Sequence, residues 1–171
     1  MVEPSQQTNA GLFHAQRIVA LASASSAQMN TANSVATADS AANEFYGSLE
    51  YAAWQCLKTA WLSWLGEVNA FSSEANVSFE SLKSGGQVNN PNMVHLINLN
   101  LEPSSWVSQL LRRVGEDGSV VLSTAAKSVA SPVNALSLVD LDKQSELDVL
   151  TIVIAEFKQH VQSARAQQQE W

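Results

Sequence analysis

Apolar residues recur every three or four positions along much of the chain, which is the spacing that places side chains on one face of an α-helix. The clearest stretch runs over 35–71, where a second apolar series lies beside the first. The first series is Ala38, Ala42, Phe45, Leu49, Ala52, Cys56, Ala60 and Trp64. A stripe this broad is typical of a helix that packs on more than one neighbour. We therefore expect this helix to be central in the fold.

The same spacing predicts one helix before this stretch and three after it. These helices are expected over about 7–33, 91–102 and 104–113, and from about Asp142 to near the end of the chain. Pro103 separates the helices over 91–102 and 104–113, because proline lacks a backbone N–H and disrupts helical hydrogen bonding. The predicted fold is therefore an all-α, up-and-down bundle of about four main helices, with the third helix broken at Pro103.

Two stretches lack helical periodicity. Residues 72–90 are rich in Ser, Glu, Asn and Gly, which is typical of a flexible surface loop. Residues 119–141 contain Val120 and Val121 and are interrupted by Pro132, which favours an extended segment before the last helix. Neither stretch has the composition of a domain linker, so we predict that residues 1–171 form a single helical domain.

Charge and composition narrow the possible partners and location. The chain has 16 acidic and 9 basic residues and a net charge of -7, which disfavours binding to nucleic acid phosphates. The longest purely apolar run is 152–155, far below the ~20 residues that span a bilayer. We expect no membrane span. The start of the chain lacks the features of a secretion signal, and a single cysteine fits a reducing compartment, so we expect a cytoplasmic protein.

Three tryptophans, Trp54, Trp61 and Trp64, lie within about three turns of the central helix. The simpler interpretation is that they fill the core, because large aromatic side chains dominate burial. The alternative is that Trp54 or Trp61 lines a groove for a partner helix or an apolar ligand. We keep Trp54, Trp61, Trp64 and Tyr46 as the candidate residues of such a groove.

The histidines and the cysteine do not form a pattern typical of a reactive site. His160 follows Glu156 by four positions, whereas di-iron bundles use a Glu-x-x-His spacing on two helices. We expect a solvated Glu156–His160 pair. Cys56 has no histidine within a helical turn and lies on the apolar stripe, which predicts a buried and unreactive thiol.

The charged residues of the helices also have ordinary explanations. Glu44, Glu50 and Glu67 are expected to face solvent, although carboxylates inside a bundle can form metal or acid–base sites. Arg112 and Arg113 are expected to complement the negative end of a helix dipole. The chain also lacks the common phosphate-binding and hydrolase motifs. We therefore predict no catalytic residues, no cofactor and no metal site.

Two segments carry a resemblance to known proteins. Residues 45–49 (Phe-Tyr-Gly-Ser-Leu) and 103–111, which include Trp106 and Leu110-Leu111, resemble a group of small uncharacterised helical proteins of gamma-proteobacteria. This resemblance covers most of the chain and implies a long N-terminal hairpin and one terminal helix. The group has no assigned activity, so the resemblance supports the architecture only.

The layout is also similar to the four-helix nucleotide-binding bundles of higher eukaryotes and prokaryotes, many of which cleave RNA with an arginine followed shortly by a histidine. No arginine here precedes a histidine in that way, since His160 comes before Arg165. The similarity therefore implies no nuclease site.

These observations favour a non-catalytic, cytoplasmic protein-interaction protein, an adaptor or regulator whose groove holds a protein partner. Self-association through the broad apolar stripe is a variant of this hypothesis. The alternative is a small-ligand-binding or enzymatic bundle with an apolar pocket between helices, in which Glu50, Tyr46 or His160 would supply polar contacts.

Overall fold

The part of the chain that the structure describes is built from α-helices. The structure is a computed structural model that describes residues 3–31, 38–70, 91–114 and 146–169. These residues form α1 (Pro4–Thr31), α2 (Ala38–Ala70), α3 (Pro91–Leu101), α4 (Trp106–Arg113) and α5 (Glu146–Gln169), with no β-strand among them. The predicted all-α fold is therefore confirmed in these residues.

Two predicted features lie outside the described residues. The loop over 72–90 and the extended segment over 119–141 both fall there. They stay predictions, as does the assignment of residues 1–171 to one domain.

Side-chain contacts fix the directions of the three long helices. The Thr8 hydroxyl near the start of α1 donates a hydrogen bond to Glu67 near the end of α2, so these two helices are antiparallel. Arg165 near the end of α5 reaches both Glu67 and Asn9, so α5 is parallel to α2 and antiparallel to α1. The three helices thus share one end, where the N-terminus of α1 meets the C-terminal turns of the other two.

The short helix α4 runs antiparallel to α5. Arg113 at its end is paired with Glu146 at the start of α5, while Trp106 at its beginning stacks on Phe157 farther along α5. In chain order α1, α2, α4 and α5 therefore alternate in direction, as expected for an up-and-down bundle.

The break predicted at Pro103 is present between α3 and α4. Helix α3 ends at Leu101, and α4 begins at Trp106 with Ser105 as its N-cap. The Ser105 hydroxyl accepts a hydrogen bond from the backbone N–H of Ser108 at 3.2 Å and donates one to the carbonyl of Leu99. This cap satisfies a backbone donor that the new helix would otherwise leave unpaired.

Helices α1 and α2 approach closely at Gly11. A Cβ atom placed on Gly11 would lie 2.8 Å from the backbone oxygen of Cys56 and 2.9 Å from the Cβ of Ala60. Only glycine fits this distance without a shift of one helix. The contact explains why a glycine stands in the middle of α1 although it lowers helix propensity.

The core is filled by apolar side chains from all five helices, and the aromatic residues of α2 lie at its centre. Trp61 contacts Trp106 of α4 and Phe157 of α5 edge-on, with ring centroids 5.9 and 5.8 Å apart. Such contacts add about 0.5–1.5 kcal/mol to the stabilisation from burial. The position of α2 in the core agrees with the expectation that this helix is central.

Candidate functional site

The four residues predicted from sequence to line a groove have different surroundings. Trp54, Trp61 and Trp64 are each at most 1% exposed, as the core-filling interpretation expects. Tyr46 is half-buried, and its hydroxyl is enclosed without a hydrogen-bond partner in the described residues. A groove at these residues stays a prediction, whereas the surfaces described below are formed by other side chains.

Trp54 belongs to a buried ion-pair cluster at one end of the bundle. Arg113 donates from Nε to Oε1 of Glu146 at 2.6 Å and from Nη2 to Oε2 at 2.8 Å. The indole N–H of Trp54 donates to the same Oε1 at 3.0 Å. Burial, together with the nearby charge of Glu146, raises the pKa of Glu50 above its usual value. Arg113 therefore stabilises an internal carboxylate and does more than complement a helix dipole.

A second ion-pair cluster closes the opposite end of the bundle. Arg165 donates from Nε to Oε2 of Glu67 at 3.0 Å and from Nη2 to both carboxylate oxygens at 2.9 Å. Its Nη1 donates to Asn9 at 2.9 Å, and the Thr8 hydroxyl donates to Oε1 of Glu67 at 2.5 Å. The expectation that Glu67 faces solvent is wrong, because this carboxylate is buried and paired. Glu44, in contrast, is exposed as expected.

Cys56 is half-buried, and burial raises the pKa of its thiol. The thiol therefore stays protonated at neutral pH, which agrees with the predicted low reactivity. It lines a cavity of about 390 Å³ between α1 and α2, together with residues of both helices. The lining residues are Gln7, Ala10, Gly11, His14, Gln55, Cys56 and Thr59.

His160 is surrounded by aromatic rings. Its imidazole stacks on His95 of α3, with centroids 5.8 Å apart and an interplanar angle of 22°. Trp64 meets it edge-on at 5.8 Å, and Trp106 lies tilted against it at 5.6 Å. The expectation of a solvated pair with Glu156 is wrong for the imidazole, whose Nε2 is buried with no hydrogen-bond partner in the described residues.

This environment keeps His160 neutral. Burial, with a smaller contribution from His95, lowers the pKa of His160 to about 4. Near neutral pH the ring is therefore uncharged, with one nitrogen available as an acceptor and the other as a donor.

The two histidines lie in an open cleft between α3 and α5, which we call the histidine cleft. Its volume is about 590 Å³, within the range of roughly 300–1,000 Å³ typical of ligand sites. The lining residues are Pro91, Asn92, His95, Leu99, Trp106, Glu156, Gln159, His160, Ser163, Ala164 and Gln167. Glu156 is the one acidic residue among them, and neither Lys nor Arg belongs to the lining.

A second surface lies between α1 and α5, and we call it the α1–α5 groove. It consists of two cavities of about 330 and 310 Å³ that share Gln16, Lys158 and Gln162. The other lining residues are Asn9, Leu12, Phe13, Val19, Thr151, Ile154, Ala155, Gln159 and Val161. Lys158 is the one charged residue of this lining.

Neither surface was predicted from the sequence, although residues that line the histidine cleft recur at helical spacing. Asn92, His95 and Leu99 follow one another at i, i+3 and i+7, which places them on one face of α3. A similar polar series on α5 includes His160. The signal was a histidine within a polar stripe on each of two helices, but periodicity alone does not show which stripes face each other.

The described residues contain no group of three or more His, Cys, Asp or Glu side chains arranged to hold a metal ion. Within the same ranges, none of the helices combines the length and apolar character needed to cross a membrane.

Comparison with known proteins gives one match. Neither a curated protein nor a solved structure matches this chain. The expected resemblance to uncharacterised proteins is in agreement with the match, while an origin in gamma-proteobacteria stays a prediction. The match covers residues 1–171, and the chain therefore belongs to a family of unknown function, DUF6586.

Proposed function

We propose that this chain is a non-catalytic interaction protein that binds an acidic, amphipathic helix of a partner protein in the α1–α5 groove. The observation that carries the proposal is the continuity of the groove, since its two cavities meet at Gln16, Lys158 and Gln162. This moves the partner site away from the buried tryptophans to a surface that a partner can reach.

The shape of the groove favours a helix as the bound segment. On α1 the lining extends from Asn9 to Val19, which corresponds to about 15 Å of helix, or nearly three turns. Buried side chains such as Leu12 and Ile154 form an apolar floor, and Phe13 is 55% exposed at its edge. A helix that places apolar anchors at i, i+4 and i+7 matches a surface of this kind.

The charge of the groove favours a partner with carboxylates. Lys158 lies at the junction of the two cavities, and none of their lining residues is acidic. Arg17 adds a second cation nearby, with its guanidinium 5.7 Å from the centre of the Phe13 ring. An acidic residue beside the apolar anchors of the partner would pair with Lys158 and speed the encounter of the two proteins.

The lining chemistry also supports a binding role rather than catalysis. Apart from Lys158 it offers amides, the Thr151 hydroxyl and apolar surface, with neither a carboxylate nor an imidazole among its residues. The groove therefore lacks the histidine and the carboxylates that most often act as general acids or bases. We propose that this interaction takes place in the cytoplasm, because a single cysteine, Cys56, fits a reducing compartment.

The test is selection of binders from a displayed library of helical peptides. We expect the selected peptides to carry acidic residues beside apolar anchors at helical spacing. Phe13→Ala removes an apolar contact, and Ala155→Glu places a bulky negative side chain at an exposed position of the lining. Both variants should weaken the selected peptides by about tenfold or more, as expected for loss of an interface anchor.

Leu62→Ala is the matched control, because Leu62 is 49% exposed on α2 and does not line the groove. Its affinity for the peptides should equal that of the unmodified chain. Peptides that bind Ala155→Glu as tightly as the unmodified chain would contradict the proposal. A dimer of the chain alone that the peptides dissociate, measured by sedimentation, would instead favour self-association.

A further inference from the structure

The histidine cleft lies on another side of α5 from the α1–α5 groove and shares one lining residue with it, Gln159. We propose that this cleft is a binding site for a small organic cation that carries N–H donors, such as an amidinium or a primary ammonium group. This proposal does not depend on the peptide-binding role of the groove.

The charge of the lining selects against anions. Glu156 is the one acidic residue in the cleft, and neither Lys nor Arg belongs to its lining. His160 does not reverse this sign, because burial keeps its imidazole neutral near pH 7. A carboxylate or phosphate ligand would therefore lack a cationic partner, whereas a cation would find a carboxylate.

The hydrogen-bonding groups in the cleft suit a ligand with N–H donors. The neutral ring of His160 can carry its proton on the enclosed Nε2, which leaves Nδ1 as an acceptor. The amide oxygens of Gln159 and Gln167 and the Ser163 hydroxyl supply further acceptors along the same side of α5. An amidinium or ammonium group brings donors only, so it complements these atoms without leaving a ligand acceptor unpaired.

Aromatic surface provides the third contribution. Trp106 and both histidines line the cleft, and Trp106 also stacks on Phe157 with an interplanar angle of 13°. This stacking holds the indole in a fixed position. The π face of an aromatic ring attracts a cation, and attraction increases where water is partly excluded. Aromatic rings, one carboxylate and several neutral acceptors are together the features expected of a site for a small organic cation.

The test compares three probes of nearly equal size and shape that differ in charge: benzamidine as the cation, benzamide as the neutral form and benzoate as the anion. Binding to the full chain is measured by titration with ¹H–¹⁵N NMR spectra, at probe concentrations up to about 10 mM, which suits such small ligands. We expect benzamidine to bind most tightly and benzoate most weakly. The largest shifts should occur at amides of α3 and α5 around His95 and His160.

Variants separate the contributions of charge and hydrogen bonding. Glu156→Gln should weaken benzamidine by about two- to fivefold, as for an exposed ion pair, and should leave benzamide unchanged. His160→Phe keeps an aromatic ring but removes the acceptor, so it should weaken both probes. Glu44→Gln is the matched control, because it also removes one exposed carboxylate and Glu44 does not line the cleft.

Two results would overturn the proposal. One is benzoate binding as tightly as benzamidine, or the largest shifts lying outside α3, α5 and the Trp106 end of α4. The other is no binding of benzamidine over the whole concentration range. Glu156→Gln keeps the test decisive if His160→Phe does not fold, because Glu156 is exposed and outside the core.

Discussion

The two surfaces on α5 differ in chemistry although they are built on the same helix. The α1–α5 groove has an apolar floor and a single cation, Lys158, whereas the histidine cleft has aromatic and amide walls and a single anion, Glu156. Two positions along a helix correspond to a rotation of about 200°, so these two charges face different neighbours. The groove proposed for an acidic helix and the cleft proposed for a cation thus have their charged residues within less than one turn of the same helix.

The core beneath these surfaces is common to both. Trp61 contacts aromatic rings of α4 and α5, and the Glu67–Arg165 pair joins α2 to α5 at the end where Asn9 of α1 also binds. Changes in this shared interior should therefore affect both surfaces, while changes on one side of α5 should affect only one.

Trp61→Ala should cause the largest loss of stability. Trp61 is fully buried, and removal of its indole leaves a cavity next to Trp106 and Phe157. We expect the free energy of unfolding to fall by about 3–5 kcal/mol, measured by urea titration. Both surfaces should lose binding at temperatures where the variant unfolds. A loss below about 1 kcal/mol would show that Trp61 is not a central core residue.

Glu67→Ala should be nearly as destabilising, because it leaves the Thr8 hydroxyl and the Arg165 guanidinium without their shared partner. Removing one member of a buried ion pair costs about 3–5 kcal/mol, and we expect the lower end because Arg165 is partly exposed. Thermal unfolding monitored by circular dichroism gives the measurement. Glu44→Ala is the matched control on α2, and its exposed side chain should change stability by less than about 0.5 kcal/mol.

His160 should make stability depend on pH in the acidic range. Its pKa is lowered from 6.5 to about 4 in the folded chain, so the unfolded chain binds more protons between these values. The stability that the neutral His160 ring contributes is therefore present above about pH 6.5 and is lost as the pH decreases, by about 3 kcal/mol at pH 4. The measurement is urea unfolding at several pH values. His160→Gln should flatten this part of the curve, and an unchanged slope in that variant would assign the dependence to other groups.

The sequence predicted the helices better than the surfaces between them. Apolar spacing and Pro103 located the helices to within a few residues, because local backbone preferences and a single amphipathic face determine them. The sequence predicted that Glu67 faces solvent. Spacing shows which residues share a helix face, but it does not show that a distant residue, here Arg165, lies opposite. His95 and His160 were missed as a pair for the same reason, because their contact depends on how two separate helices pack.

Exchange of the two charges on α5 should change stability least and test the comparison most directly. The double variant Glu156→Lys and Lys158→Glu keeps the net charge of -7, and both side chains are exposed, so stability should change by less than about 0.5 kcal/mol. The groove should then lose its acidic peptides and select basic ones, and the cleft should lose its preference for benzamidine over benzoate. Peptide selection and NMR titration of the same variant measure both effects. If only one surface changes its preference, charge does not select the ligand of the other surface. The comparison of the two sides of α5 by charge would then hold for one side only.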